Sequence, residues 1–321
     1  MPKTAAIRSS SREGRFAMKL ATYRLHVEDR ARLGVVVDGF MIDVERLGIA
    51  AGETMASSML DLIDAGPHAL NRLHDMLSDS QLTNRPGVSI PESNAALLAP
   101  IPRPRTNIWG IGLNYVAHAA ESHSALDTAE EMPDEPVIFS KPPNTVIGPE
   151  GAIRHNPAVT QQLDWEVELA AIVGKRASRV SVDEALDYVF GYTVLVDISA
   201  RDCRRAGQWI VSKGQDTFAP MGPWIVTADE IPDPQTLDLS LSKNGEMKQS
   251  ANTSLMYFKV AELIADISGV MTLEPGDIIA TGTPAGVGAG RVPQEWLWPG
   301  DRIVATVEGI GSISNPVVGV G

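Results

Sequence analysis

The sequence predicts a mixed, β-rich fold with short helices, preceded by a small α+β N-terminal domain. Three observations carry this expectation. The 28 glycines and 22 prolines among 321 residues suit a turn-rich chain. Apolar runs are short and bounded by turn residues such as Asp38-Gly39 and Asn244-Gly245. Several segments, most clearly 163–173 (LDWEVELAAIV), alternate polar and apolar residues with the period of two that a strand imposes.

The elements follow in order. Residues 1–17 are basic and serine-rich without the apolar core of a secretion signal, and are expected to form a flexible extension. Residues 33–44 (LGVVVDGFMIDV) are two apolar runs around Asp38-Gly39, a hairpin. Residues 57–79 carry a helical apolar pattern broken at Gly66-Pro67. Three prolines within 98–105 make a stiff, extended connector, which divides an N-terminal domain at 18–100 from a catalytic domain at 101–321. Beyond it, Ile108–Leu113 reads as a strand, with Asn114 as N-cap of a helix through His118 and Glu121. Residues 122–135 are acidic and weakly apolar, a mobile surface segment. Strands are expected at Val137–Lys141, 163–173 and Gly191–Asp197, and a capping box at Ser181-Val-Asp-Glu184 opens a short helix. Residues 255–270 place apolar side chains on one helical face, and the chain returns to strands from Asp277 to Val318.

The net charge of −13, with no lysine or arginine cluster in the body of the chain, argues against nucleic acid or an anionic membrane as partner. No apolar run reaches the roughly 18 residues of a membrane span. Cys203 is the single cysteine, so no intramolecular disulfide forms and a cytoplasmic home is expected.

Five constellations could carry chemistry. In QLDWEVELA, Asp164, Glu166 and Glu168 share one strand face; either that face is solvated or a cation sits between the acids. Carboxylate oxygens suit a hard divalent ion, whereas one cysteine and six scattered histidines do not suit a thiolate-rich zinc site. Asp197 interrupts the apolar strand 192–196 and is either a strand-end cap or a further ligand; Arg201 then follows, with Asp202 or Glu184 as its simplest partner. His118 and Glu121, at i and i+3, share a helix face, as a surface pair or as a general base and its orienting carboxylate. Lys213, in SKGQDTFAP, is an exposed loop residue or an oxyanion stabiliser. Finally, LEPGDIIATGTPAGVG (273–288) lacks the Gly-Lys-Ser/Thr of a phosphate loop; it is a plain turn or a set of amides facing an anion.

The order of these motifs (NYxxHxxE, DxExEL, VxDxSARD, KGxDTFAPxGP, NGE and TLxPGDIIxTGTPxGVG) resembles the fumarylacetoacetate hydrolase family over residues 107–318, and residues 18–100 resemble the small N-terminal domain of many bacterial members. The resemblance implies rolled mixed β-sheets, a homodimer and a divalent cation, Mg²⁺, Mn²⁺ or Ca²⁺. Carried over by residue, it makes Glu166, Glu168 and Asp197 metal ligands, and His118 and Glu121 the water-activating pair on a lid-like segment. Lys213 would reach the reacting oxygens, and Arg201, Gly282 and Thr283 would lie near a small anionic 2-oxo acid. Some members have a further carboxylate upstream of the histidine; Ile111-Gly-Leu-Asn114 offers none, which favours the acylpyruvate-type relatives. The implied reaction is hydrolysis of a C–C bond in a 2,4-dioxo acid to pyruvate and a carboxylic acid. Decarboxylation of an oxaloacetate-like acid, hydration of a 2-oxo-4-enoate or a double-bond shift are alternatives, because all pass through an enolate at the metal.

Overall fold

The computed structural model describes residues 18–25, 30–126 and 132–320, with the backbone alone at 122–126. The expected extension at 1–17 and the middle of the acidic 122–135 segment lie outside the described residues.

Two sheets dominate. The larger has twelve strands and runs, from one edge, Ser89–Pro91, Phe40–Asp43, Arg32–Val37, Lys19–Leu25, Ala219–Thr227, Val189–Val196, Val167–Val173, Ile278–Ala280, Ile108–Gly112 and Val137–Lys141, with two short strands beside this path. Antiparallel pairing of Lys19 with Val226 and Leu20 with Ile225 carries the sheet from the N-terminal residues into the rest of the chain. The second sheet has five strands: Glu246–Asn252, Asp238–Lys243, Arg302–Val307, Gly311–Gly319 and Ile153–His155. No helix of the described residues is long and apolar enough to cross a membrane.

Strand Val167–Val173 lies deep in the larger sheet, and every residue in it is buried. Val167, Leu169, Ala171 and Val173 pack into one core with Leu239, Leu241 and Ile303 of the smaller sheet. Ala170 and Ile172 face a second core with Leu20, Val35, Leu62 and Leu73 from the N-terminal part. Period-two alternation therefore divides the strand between two dry faces, and neither is solvated.

Several expectations are refined. The uninterrupted strand expected at 163–173 is split: Leu163–Asp164 pairs separately with Ser199–Ala200, and the chain leaves the ladder at Trp165 and Glu166. The break is stabilised locally, because Asp164 Oδ1 accepts from the Trp165 backbone N–H at 2.8 Å. The helix expected at 255–270 starts at Val260, leaving Leu255 61% exposed. Glu262 accepts from the Lys259 N–H at 2.6 Å and so fixes that later start. Asn114 does not serve the helix Val116–Leu126; its amide accepts from Phe258 N and donates to Phe258 O and Thr281 O. The short helix after Ser181 is 3₁₀, and the Ser181 hydroxyl donates to the Glu184 carboxylate at 2.7 Å. The hairpins at Asp38-Gly39 and Asn244-Gly245 form as expected, and Gly66 leaves helical geometry within Met59–Ser78.

Candidate active site

Glu168 lies on strand Val167–Val173 and Glu166 just before it, while Asp197 directly follows strand Val189–Val196. The two strands are antiparallel neighbours with Val167 opposite Val196, so pairing brings Glu166 against Asp197. The Asp197 N–H donates to the Glu166 carbonyl at 2.8 Å, holding the two together past the strand ends. Among the described residues, Glu166, Glu168 and Asp197 form a group that could hold a metal ion, each offering an oxygen within 4.8 Å of the others.

Three buried cations surround them. Lys213, at the end of the short helix Ile210–Lys213, donates to Glu166 Oε2 at 2.9 Å, Asp197 Oδ2 at 2.5 Å and the Ser199 hydroxyl at 2.9 Å. Lys141, fully buried, donates to Asp197 Oδ1 at 2.5 Å, to the Ile198 carbonyl at 3.2 Å and to the Lys213 carbonyl. Arg201 donates from Nε to Asp164 Oδ2 at 2.8 Å, and its Nη2 stands 2.6 Å from Glu166 Oε1.

The acids behave differently in this field. Burial works against the Glu166 charge, but Lys213 and Arg201, with His118, outweigh it and hold the pKa below the ordinary carboxylate range. Burial also dominates at Glu168, where repulsion from Asp197 and Glu166 adds to it and pushes the pKa well up. Glu168 Oε2 accepts from the Gly282 N–H at 2.8 Å, whereas Oε1 is buried with no hydrogen-bond partner. A buried carboxylate oxygen left unpaired beside two further acids, in an all-oxygen donor set, fits a hard divalent cation.

The glycine-rich segment 281–290 supplies the backbone of the site. Its amides do face anions, and those anions are the chain's own carboxylates. Gly282 N–H serves Glu168, Gly286 N–H serves Glu121 at 3.1–3.2 Å, and Gly288 and Ala289 N–H serve Asp164 at 2.6 and 3.0 Å. Gly282 has φ +95°, and a Cβ there would stand 2.7 Å from that of Asn114, so both conformation and space require glycine.

His118 and Glu121 lie on helix Val116–Leu126, with Nδ1 and Oε2 3.5 Å apart. His118 is buried and lines a cavity of about 30 Å³ together with Glu166, Arg201, Lys213 and Thr283. The Thr283 hydroxyl donates to the Val167 carbonyl at 2.9 Å and accepts from Gln249 Nε2 at 2.8 Å. The nine residues singled out from the sequence thus meet in one place, although Gly282 contributes its amide to Glu168 and Arg201 engages Asp164 and Glu166 instead of Asp202 or Glu184. Lys141 was missed. Its signal is a lysine ending the apolar run VIFSK, the same interruption that marked Asp197. Asp164, the third acid of QLDWEVELA, is fully buried and joins Arg201 to the 288–289 amides.

Residues 107–318 match the family model described as fumarylacetoacetate (FAA) hydrolase C-terminal. The chain is 39% identical over 306 residues to oxaloacetate tautomerase YisK of Bacillus subtilis (strain 168), covering 94% of this chain and 100% of the relative. Among solved structures it is similar to a fumarylacetoacetate hydrolase from psychrophilic Exiguobacterium antarcticum, with a TM-score of 0.78, 36% identity and coverage of 95% of this chain and 100% of that one. It is also similar to maleylpyruvate hydrolase from Sphingobium sp. SYK-6 in complex with manganese(II) ion and pyruvate, with a TM-score of 0.73, 32% identity and coverage of 95% and 100%. The chain belongs to the fumarylacetoacetate hydrolase family of enzymes.

Proposed function

We propose that the protein interconverts the enol and keto forms of an oxaloacetate-like 2-oxo dicarboxylic acid, using a divalent cation held by Glu166, Glu168 and Asp197. The observation that carries this is the His118 ring, which lines the same cavity as Lys213 and Glu166, one of the three acids grouped around the unpaired Glu168 oxygen. End-to-end likeness to the Bacillus subtilis tautomerase favours proton transfer over bond cleavage. When bound, the cation would polarise the 2-oxo group and make the neighbouring C–H acidic.

The chain's own groups move the proton. Glu121 faces His118 Nδ1, which leaves Nε2 to exchange a proton with the carbon next to the 2-oxo group. Lys213 is kept cationic because Asp197 and Glu166 together outweigh the burial that opposes its charge. Its ammonium offsets negative charge on the substrate oxygen as the O–H proton leaves. One proton is gained at carbon and one lost at oxygen, so no water or leaving group is consumed.

Hydrolysis of an acylpyruvate is the second reading. It is supported by the same His118–Glu121 pair, suited to activating water, and by likeness to the Sphingobium hydrolase. The test is to add the protein with Mn²⁺ or Mg²⁺ to the enol form of oxaloacetate and follow loss of enol absorbance alongside pyruvate and CO₂. Faster ketonisation without either product is expected. Inertness toward oxaloacetate, with pyruvate and a carboxylic acid formed from acetylpyruvate or fumarylpyruvate, would move the assignment to hydrolysis.

A further inference from the structure

Lys141, Lys213 and Arg201 are each engaged with Asp164, Glu166 or Asp197, so these cations serve the chain's own acids. Arg204 stands out by what lies around it. It directly follows the Arg201–Cys203 turn, and its guanidinium carbon stands 5.3 Å from the Trp209 ring centre. Both Arg204 and Trp209 line the cavity that holds His118, Glu166 and Lys213. Both also line a broader groove of about 740 Å³, walled by Trp109, Phe139 and Ile210, and no other residue is common to the two linings. The stacked pair therefore stands where the inner cavity meets the groove.

Size gives that position its meaning. The inner cavity, about 30 Å³, is no larger than one water's share of the liquid. An organic acid reaching His118 therefore extends beyond this cavity, and Arg204 and Trp209 line the side on which it joins the groove. A guanidinium over an indole ring is held there by cation–π attraction, and its planar fork can bind a carboxylate through two parallel hydrogen bonds. Burial and the nearby Arg201 charge work against the Arg204 charge, Glu166 partly offsets them, and a substrate carboxylate beside it would offset them further.

We propose that Arg204, stacked on Trp209, binds the substrate carboxylate farthest from the acidic trio and so selects 2-oxo dicarboxylic acids over 2-oxo acids with a neutral tail. The choice of a 2-oxo acid rests on the function proposed above; the preference for a second carboxylate rests on Arg204 alone.

The test uses the full chain loaded with Mn²⁺ as wild type, Arg204→Leu and Arg204→Lys. Calorimetry measures the affinities for oxaloacetate and pyruvate, and kinetics measure KM and kcat for ketonisation. A charged hydrogen-bonded pair implies that Arg204→Leu weakens oxaloacetate binding by about tenfold or more, through KM. Pyruvate affinity should stay within about twofold of wild type, and Arg204→Lys should recover part of the loss. Equal weakening of both acids, or of neither, overturns the proposal, as does a wild type that does not prefer oxaloacetate. A wild type that prefers oxaloacetate through Arg204 yet fails to ketonise it would sink the proposed reaction and leave the Arg204 role standing.

Discussion

Gly286 donates its backbone N–H to both carboxylate oxygens of Glu121, at 3.2 and 3.1 Å, across 165 positions of sequence. That contact ties the helix bearing His118 to the glycine-rich segment, while Glu121 Oε2 turns toward the His118 ring. Glu121 is thus held by main chain on one side and orients the histidine on the other.

A methyl group at Gly290 tests this arrangement. A Cβ there would lie 1.8–2.1 Å from Glu121 Cγ, Cδ and Oε1. Those atoms end a flexible side chain, so the expected response is displacement of Glu121 without loss of the fold. Gly290→Ala should lower kcat by about a hundredfold, the lower end of what a positioned base contributes, with Mn²⁺ affinity unchanged by calorimetry. A fall in Mn²⁺ affinity of the same size would show that the substitution reaches the acidic trio.

The opposite pKa shifts of Glu166 and Glu168 give the metal-free protein a stability that falls at both ends of the pH range. Glu166 is depressed, so its contribution is present above the ordinary carboxylate pKa and is lost as pH falls toward its lower folded value. Glu168 is raised, so the folded protein holds a proton that the unfolded chain releases. Its contribution is complete below the ordinary carboxylate pKa and is lost as pH rises toward the raised value. A divalent cation bound between the three acids would take the place of that proton. The rise in Tm produced by Mn²⁺ over chelator should therefore grow between about pH 5 and about pH 8. The Glu168→Gln variant should lose both the Mn²⁺ response and its pH dependence; a Tm shift equal at both pH values in wild type would contradict the role of Glu168.

Lys141 offers a stability measurement. Its side-chain nitrogen is fully buried against Asp197, and removing it leaves that buried carboxylate with Lys213 as its one remaining ion-pair partner among the described residues. Lys141→Met should cost about 3–5 kcal/mol in urea unfolding. Adding Asp197→Asn should recover part of that loss, because the amide removes the carboxylate that Lys141 balanced while Lys213 keeps Glu166 as its partner. If the double variant is less stable than Lys141→Met by the full cost of Asp197→Asn alone, the two side chains are not coupled.

What was legible in the sequence was local or periodic. The Asp38-Gly39 and Asn244-Gly245 turns need positive φ, which few residues supply, and the Gly66-Pro67 break follows from proline geometry. The acids of 164–168 stood out because they interrupt an otherwise apolar strand. What stayed hidden depends on contacts distant in sequence. Arg201 has acids next to it and a few turns away, yet Asp202 binds the Thr160 hydroxyl and the Gln161 N–H while Glu184 takes the Ser181 hydroxyl. Its partners come instead from the split strand at 164–166, a break that no local pattern announces. Lys141 was invisible for a similar reason: a lysine after an apolar run ordinarily marks a strand emerging into water, and only the tertiary fold turns it inward onto Asp197.

The segment 281–290 grips Glu168, Glu121 and Asp164 through peptide N–H groups, donors that every residue except proline supplies. Spacing is what that stretch must preserve, together with the glycines whose conformation and surroundings admit no side chain. Deleting one residue between Gly282 and Gly286 would leave the donor for Glu168 in place and move those for Glu121 and Asp164 out of register together. Arg204 and Trp209 lie outside this frame, so the end of the site proposed to meet the substrate's tail can diverge while the end that holds Glu121 and His118 stays fixed.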